Sequence, residues 1–167
     1  FKHLVYVVIG IFIVFIFSSL KKEQLIKYSI VLFFVSLISL VLVPIIGVEV
    51  KGSKRWIDLF FLPRFQPIEV LKPFLIVFLA AILCTEKTNI MIKYILTTLT
   101  ISIISLLLIV QPDIGQTLLV VFSWSVLIFT SGINIFILLA FFCLAIILLT
   151  YLITVSYTHL TLPTKEG

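Results

Sequence analysis

Six apolar runs separated by polar breaks set the pattern of this chain. They cover Leu4–Leu20, Ile26–Val48, Pro67–Cys84, Ile90–Val110, Ile114–Thr130 and Ile133–Leu152. A helix crossing the hydrocarbon core of a bilayer needs about 20 apolar residues, and each run reaches that length or nearly so. The pattern predicts an all-α fold, a polytopic transmembrane helix bundle of about six spans. Lys21-Lys22-Glu23, Thr85-Glu86-Lys87-Thr88-Asn89, Gln111-Pro112-Asp113 and Ser131-Gly132 are the short breaks, and Glu49–Gln66 is the one long polar stretch. Pro44 falls near the end of the second run, where a proline is tolerated if neighbouring groups satisfy the carbonyl it frees. Pro67 suits a first helical position, whereas Pro73, in the first two turns, can kink the helix. Lys93 interrupts the fourth run near its start, where a lysine can snorkel. No internal repeat and no second domain is visible. From Val155 to Gly167 polar and β-branched residues alternate until Pro163. Residues 1–154 therefore read as one transmembrane domain and 155–167 as a foreign, adaptor-like tail without functional weight.

Composition strengthens this picture. Of 167 residues, 62% are hydrophobic and 11% charged, and the mean hydropathy is +1.37. A soluble domain is about 45–50% apolar and about 25% charged, and a body of this size buries only about 70% of its unfolded surface. A soluble enzyme, a nucleic-acid-binding domain and a disordered chain are excluded. The net charge of +5 then points to cations at membrane surfaces and to an anionic ligand. Cys84 and Cys143 lie in apolar runs and read as small core hydrophobes. His3 and His159 sit near opposite ends of the chain, so neither zinc spacing nor a triad can be drawn from them. A chain opening at Phe1 rather than methionine is expected to be a fragment or a processed product.

The breaks alternate between the two membrane faces. One face carries Lys21, Lys22, Lys27, Lys87 and Lys93; the other carries Lys2, Lys51, Lys54, Arg55, Arg64 and Lys72. Cytoplasmic loops normally hold a clear excess of Lys and Arg, and here neither face does. Either the rule is silent, or the cations beside the Glu49–Gln66 loop serve something other than topology.

Chemistry concentrates on that second face. Trp56, flanked by Lys51, Lys54 and Arg55, suits a membrane interface. Arginine can grip phosphate oxygens in pairs while lysine acts as a point charge, so the group fits a phosphorylated lipid head group, or it simply anchors helix depth. Glu69 and Lys72 share one helix face by spacing inside an apolar run, where ionisable groups are costly and face an interior or a wet cavity. They form a self-satisfied pair near the interface or hold a ligand. Asp113 can cap the helix that follows it, or join a polar site with Glu69 and Lys72.

These same residues resemble a known family. Lys51-Gly52-Ser53-Lys54-Arg55-Trp56-Ile57, then Gln66-Pro67-Ile68-Glu69 with Lys72, then Gln111-Pro112-Asp113-Ile114-Gly115, are similar to motifs of the SEDS (FtsW/RodA/SpoVE) bacterial cell-wall polymerases. The usual wording is Gly-Ala-x-Arg-Trp, Gln-Pro-Ser-Glu-x-x-Lys and Gln-Pro-Asp-Leu-Gly-Thr. Glu49-Val50-Lys51-Gly52 and Lys72-Pro73 resemble the division branch, FtsW, more than the elongation branch, RodA. The resemblance covers about residues 1–153. It departs at Ser53, at Ile68, which removes a hydroxyl, and at Gln116, which separates Gly115 from Thr117.

What the resemblance implies is specific. The full protein would have about ten helices, Leu4–Leu20 being the second, in the bacterial inner membrane with the Glu49–Gln66 loop extracytoplasmic. The reaction would be septal glycan polymerisation from lipid II, a polyprenyl-pyrophosphate-linked disaccharide pentapeptide. Arg55, Trp56, Gln66, Glu69, Lys72 and Asp113 would form the substrate-side cluster. The catalytic aspartate is expected in a large loop beyond this sequence, so no residue here is assigned as the base and the chain alone is expected to insert in membranes without polymerising. No cofactor is expected within this sequence, although the family allows a divalent cation. A class B penicillin-binding protein and other division proteins would be partners, and nucleic acid would not. The rival readings are a lipid II flippase, a RodA-like elongation polymerase and a non-catalytic division scaffold.

Overall fold

The computed structural model describes residues 2–50, 52–58, 64–86 and 88–133, together with 135, 136, 139 and 143. Five helices are assigned among them: α1 (Lys2–Ser18), α2 (Lys22–Ile46), α3 (Pro67–Leu83), α4 (Ile90–Val110) and α5 (Ile114–Thr130). Two strands, β1 (Val48–Val50) and β2 (Ser53–Trp56), lie between α2 and α3. The sixth expected run and the tail fall almost wholly outside the described residues, as do Lys51 and Lys87. The chain divides into two compact units, Phe1–Trp124 and Ser125–Gly167. In the second, α5 runs out at Thr130 and a turn follows at Ser131-Gly132, where Gly132 takes a φ of 92°.

Helix starts follow local chemistry. α3 begins at Pro67, whose missing N–H is no loss at a first position. α4 begins after Asn89, whose side chain accepts the Met91 N–H at 3.0 Å. α2 begins four residues before the apolar run expected from Ile26. Gln24 Oε1 accepts the Lys21 N–H at 3.2 Å, and Glu23 sits favourably in the first turn. Much of the expected Lys21-Lys22-Glu23 hinge is therefore helix.

α2 and α4, at 25 and 21 residues, are long and apolar enough to cross a membrane. α1, α3 and α5, each of 17 residues, stretch about 25 Å and stand at the lower limit for a span. Large apolar side chains are exposed along all five, from Ile11 and Phe15 in α1 to Leu118 and Phe122 in α5. That surface suits a lipid solvent.

The core of the first unit is built from narrow stripes. α2 buries Ser29, Phe33, Ser36, Leu40 and Val43; α3 buries Pro67, Ile68, Leu71, Leu75 and Leu79; α4 buries Lys93, Thr97, Ile101, Ile104 and Leu108. The three-and-four spacing puts each set on one helix face. Serines in the α2 stripe allow the close approach that membrane helices use in place of a hydrophobic drive. Phe33 of α2 stacks on Phe78 of α3 at 4.3 Å, with planes 9° apart.

Two expectations about single residues are corrected. Lys93 does not snorkel: it is 8% exposed, and its Nζ donates to the Leu83 carbonyl at 3.0 Å. A cation there satisfies an orphan carbonyl and complements the negative end of α3. Cys84 is not a core residue. It caps α3 and is exposed, as is Cys143.

The long polar stretch is also more ordered than a loop. β1 and β2 pair antiparallel, with Val48 opposite Trp56, Glu49 opposite Lys54 and Val50 opposite Ser53. Gly52, at φ 79°, occupies the turn in a conformation that side chains disfavour. Ile57 and Phe65 then bridge, exchanging backbone hydrogen bonds at 3.0 and 3.2 Å. The helical class stands, with a β-hairpin added between α2 and α3.

Candidate functional site

The site begins with an irregularity in the hairpin. Val48 faces Trp56 while the next residue, Glu49, faces Lys54, so Arg55 is the extra residue of a β-bulge. A bulge kinks its strand and re-aims a side chain. Arg55 reaches the turn between α4 and α5: its Nε donates to the Gln111 carbonyl at 3.1 Å and its Nη2 to the Pro112 carbonyl. Nη1 lies 3.6 Å from Asp113 Oδ1. The guanidinium therefore reads the shape of the turn as well as its charge.

That turn is tied to α2 by Gln111, which is 4% exposed and whose Nε2 donates to the Leu40 carbonyl at 3.1 Å. Leu40 stands four residues before Pro44, and proline has no N–H for that carbonyl. The condition set for a proline inside this span is met by a side chain from α4's C-terminal cap.

Asp113 is 6% exposed. Its Oδ2 accepts from Gln66 Nε2 at 2.8 Å, and its Oδ1 faces the Gln116 N–H at 3.5 Å. Asp113 thus caps α5 and, through Gln66 and Arg55, also stands in a polar cluster. Gln66 is the residue before α3, so one hydrogen bond fastens the N-terminal ends of α3 and α5 side by side. Those ends carry the positive poles of their helices.

Glu69 and Lys72 pair as their spacing predicts, Lys72 Nζ lying 2.7 Å from Glu69 Oε2. The pair is interfacial rather than buried: the Glu69 side chain is 51% exposed and Lys72 25%. Gln116 joins them. Its Oε1 accepts from Lys72 Nζ at 2.9 Å and its Nε2 donates to Glu69 Oε1 at 2.7 Å. Glu69, Lys72 and Gln116 therefore close a ring of hydrogen bonds between α3 and α5.

The structure thus gathers Arg55, Gln66, Glu69, Lys72 and Asp113 into one network. Trp56 is half-buried opposite Val48 and makes no hydrogen bond to the network among the described residues. Asp58 and Arg64 form a separate, exposed pair at 2.9 Å. Gln111 and Gln116 are the members that sequence reasoning missed. Asp113 with Gln116 three residues on has the spacing of a capping box, and Pro44 creates a need for a donor such as Gln111. Those were the signals available.

The residues do not fit a resident metal ion. Hard cations take several oxygen ligands, whereas Glu69 and Asp113 are each engaged by a cation or an amide donor. No group of three His, Cys, Asp or Glu suited to a metal occurs among the described residues.

Comparison with known proteins identifies the family and the fold. Residues 1–162 match the family model FTSW_RODA_SPOVE, cell cycle protein. The chain is 32% identical over 138 residues to the probable peptidoglycan glycosyltransferase FtsW of Coxiella burnetii, covering 80% of this chain and 37% of that protein. It is 31% identical over 160 residues to the protein of the same name from Haemophilus influenzae, covering 93% and 40%. This chain thus spans about two fifths of the length of these curated relatives. Among solved structures, the rod shape determining protein RodA of Thermus thermophilus superposes with a TM-score of 0.69 at 32% identity, covering 83% of this chain and 46% of that one. A chain from a peptidoglycan synthase complex gives 0.68 at 29% identity, covering 87% and 44%. Three sequence motifs in order, a helical fold shared with RodA and a match over nearly the whole sequence lead to one conclusion: this chain belongs to the FtsW/RodA/SpoVE family of membrane proteins.

Proposed function

We propose that this chain forms the substrate-side half of a peptidoglycan glycosyltransferase that extends septal glycan strands from lipid II at the outer face of the inner membrane. One observation carries the reading. Arg55 and Lys72 are both held against the 111–116 segment, where the N-termini of α3 and α5 meet. Lipid II offers a pyrophosphate beneath a sugar, at the depth where a lipid head group meets water. Transfer breaks the bond between the anomeric carbon and the pyrophosphate oxygen, and negative charge grows on the leaving group. Fixed cations and helix N-termini lower the cost of that charge without reorganising. The attacking sugar hydroxyl must lose its proton to a base, and no residue of this chain is given that role.

The two carboxylates offset the two cations, so the cluster is stable without substrate. Lys54, one residue before Arg55, is exposed and adds positive charge on the same hairpin. The names of the FtsW relatives support peptidoglycan glycosyltransferase activity, and the structural likeness to a chain of a peptidoglycan synthase complex is consistent with a penicillin-binding protein as partner.

The test is polymerisation of lipid II by a full-length protein carrying these residues, with a class B penicillin-binding protein and a divalent cation, read as glycan on a gel. Arg55→Met and Lys72→Met are expected to lose polymer while inserting normally. Wild-type polymer from both would refute the reading. Transfer of lipid II between leaflets without any polymer would establish the flippase alternative instead.

A further inference from the structure

We infer that Gln116 is a positioning residue for an anionic lipid head group, acting through Lys72. The inference rests on the functional reading above and deepens it.

An ammonium has three N–H donors. Lys72 spends one on Glu69 Oε2 at 2.7 Å and one on Gln116 Oε1 at 2.9 Å. The third has no protein partner among the described residues, and the side chain remains 25% exposed. A free lysine head rotates about its last bonds and offers its donors in any direction. Two fixed acceptors on different helices remove that freedom and leave one donor aimed away from both.

Gln116 is the residue that makes this possible. With Glu69 alone, an i,i+3 pair on a single helix, Lys72 could turn with its partner. Gln116 comes from α5 and holds both members at once, accepting from Lys72 and donating to Glu69 at 2.7 Å. Its amide is neutral, so it orients the lysine without adding a second negative charge beside it. A carboxylate in its place would accept from Lys72 but repel Glu69 and any incoming phosphate. Gln116 is itself placed by the α5 cap, through its N–H facing Asp113 Oδ1 at 3.5 Å. Asp113 in turn faces Arg55 at 3.6 Å, so the two cations stand in a set register on one segment.

The experiment uses this chain in nanodiscs of neutral phosphatidylcholine and measures binding of undecaprenyl pyrophosphate, with undecaprenyl phosphate and undecaprenol as controls. Gln116→Met keeps the length of the side chain and loses both hydrogen bonds. It is expected to weaken pyrophosphate binding about tenfold, the scale of one charge-assisted hydrogen bond, and to leave undecaprenol unaffected. Gln116→Thr, too short to span Lys72 and Glu69, is expected to do the same and serves if the methionine variant does not fold. In a Lys72→Met background neither change should have a further effect, since the residue would have nothing left to orient. Equal losses in the two backgrounds would show a merely structural role and overturn the inference. So would a wild-type affinity in both Gln116 variants while Lys72→Met binds weakly, a result that leaves the functional reading standing. If the unmodified chain binds pyrophosphate no better than undecaprenol, the functional reading fails and the inference falls with it.

Discussion

Asp113 offers a quantitative check on how the cluster is held together. Asp113→Ala removes three interactions of unequal weight. The hydrogen bond from Gln66 Nε2, at 2.8 Å to a carboxylate that is 6% exposed, contributes about 1.5–3 kcal/mol. The cap of α5 is long, at 3.5 Å, and belongs at the low end for caps, about 0.5 kcal/mol. The Arg55 contact is longer still at 3.6 Å, and the arginine side chain is 31% exposed, so screening leaves it about 0.5 kcal/mol. Arg55 also keeps its bonds to the Gln111 and Pro112 carbonyls, so the mutation does not strand it. The sum is about 2.5–4 kcal/mol. Asp113→Asn keeps an oxygen for Gln66 but loses the charge, and should cost about 1–2 kcal/mol. The assay is reversible unfolding of the chain in mixed micelles by SDS titration, followed by the fluorescence of Trp56 and Trp124. Double-mutant cycles should give Asp113 a larger coupling to Gln66, about 1.5 kcal/mol or more, than to Arg55, below about 1 kcal/mol. A loss under about 0.5 kcal/mol for Asp113→Ala, or the reverse order of couplings, would refute this account of the site.

Further predictions follow from single contacts. Gly47→Ala would place a Cβ 2.3 Å from the Val43 carbonyl oxygen, where Gly47 donates its own N–H at 2.8 Å. It should destabilise the exit from α2 by about 1–3 kcal/mol, and an unchanged thermal midpoint in detergent would count against the tight exit. Lys93→Met should cost about 1–2 kcal/mol by leaving the Leu83 carbonyl without its charged donor, whereas a lysine merely snorkelling to the interface would tolerate the change. In a Cys84→Ser, Cys143→Ser background, Lys54→Cys should react with an impermeant maleimide in intact spheroplasts and Lys21→Cys should not; labelling at position 21 alone would invert the topology.

The helices were legible because their causes are local. The starts of α3, α4 and α5 at Pro67, Ile90 and Ile114 coincide with the starts of apolar runs, each marked by a proline or a short polar residue. α2 was misjudged at its start because a charged first turn, secured by Gln24, resembles a hinge in composition. The Glu69–Lys72 pair was legible as a pair, since helix spacing dictates it, but spacing left open whether it lies at the interface or deeper. The hairpin was read as a loop: Val48–Val50 is too short to show alternation, and the bulge at Arg55 leaves no trace in spacing.

Apolar composition alone dictated the class of this protein. With 62% hydrophobic residues, its backbone must satisfy its own hydrogen bonds in lipid, and helices do so within a single segment. Which polar groups meet was decided only by the tertiary structure. Gln111 finds Leu40 at a separation of 71 residues, Gln66 finds Asp113 at 47 and Lys72 finds Gln116 at 44. Such partners depend on which helix faces turn towards one another and on where a bulge re-aims an arginine. Periodicity within one run carries no information about either, because the energy of each bond is realised only when two distant segments are brought together.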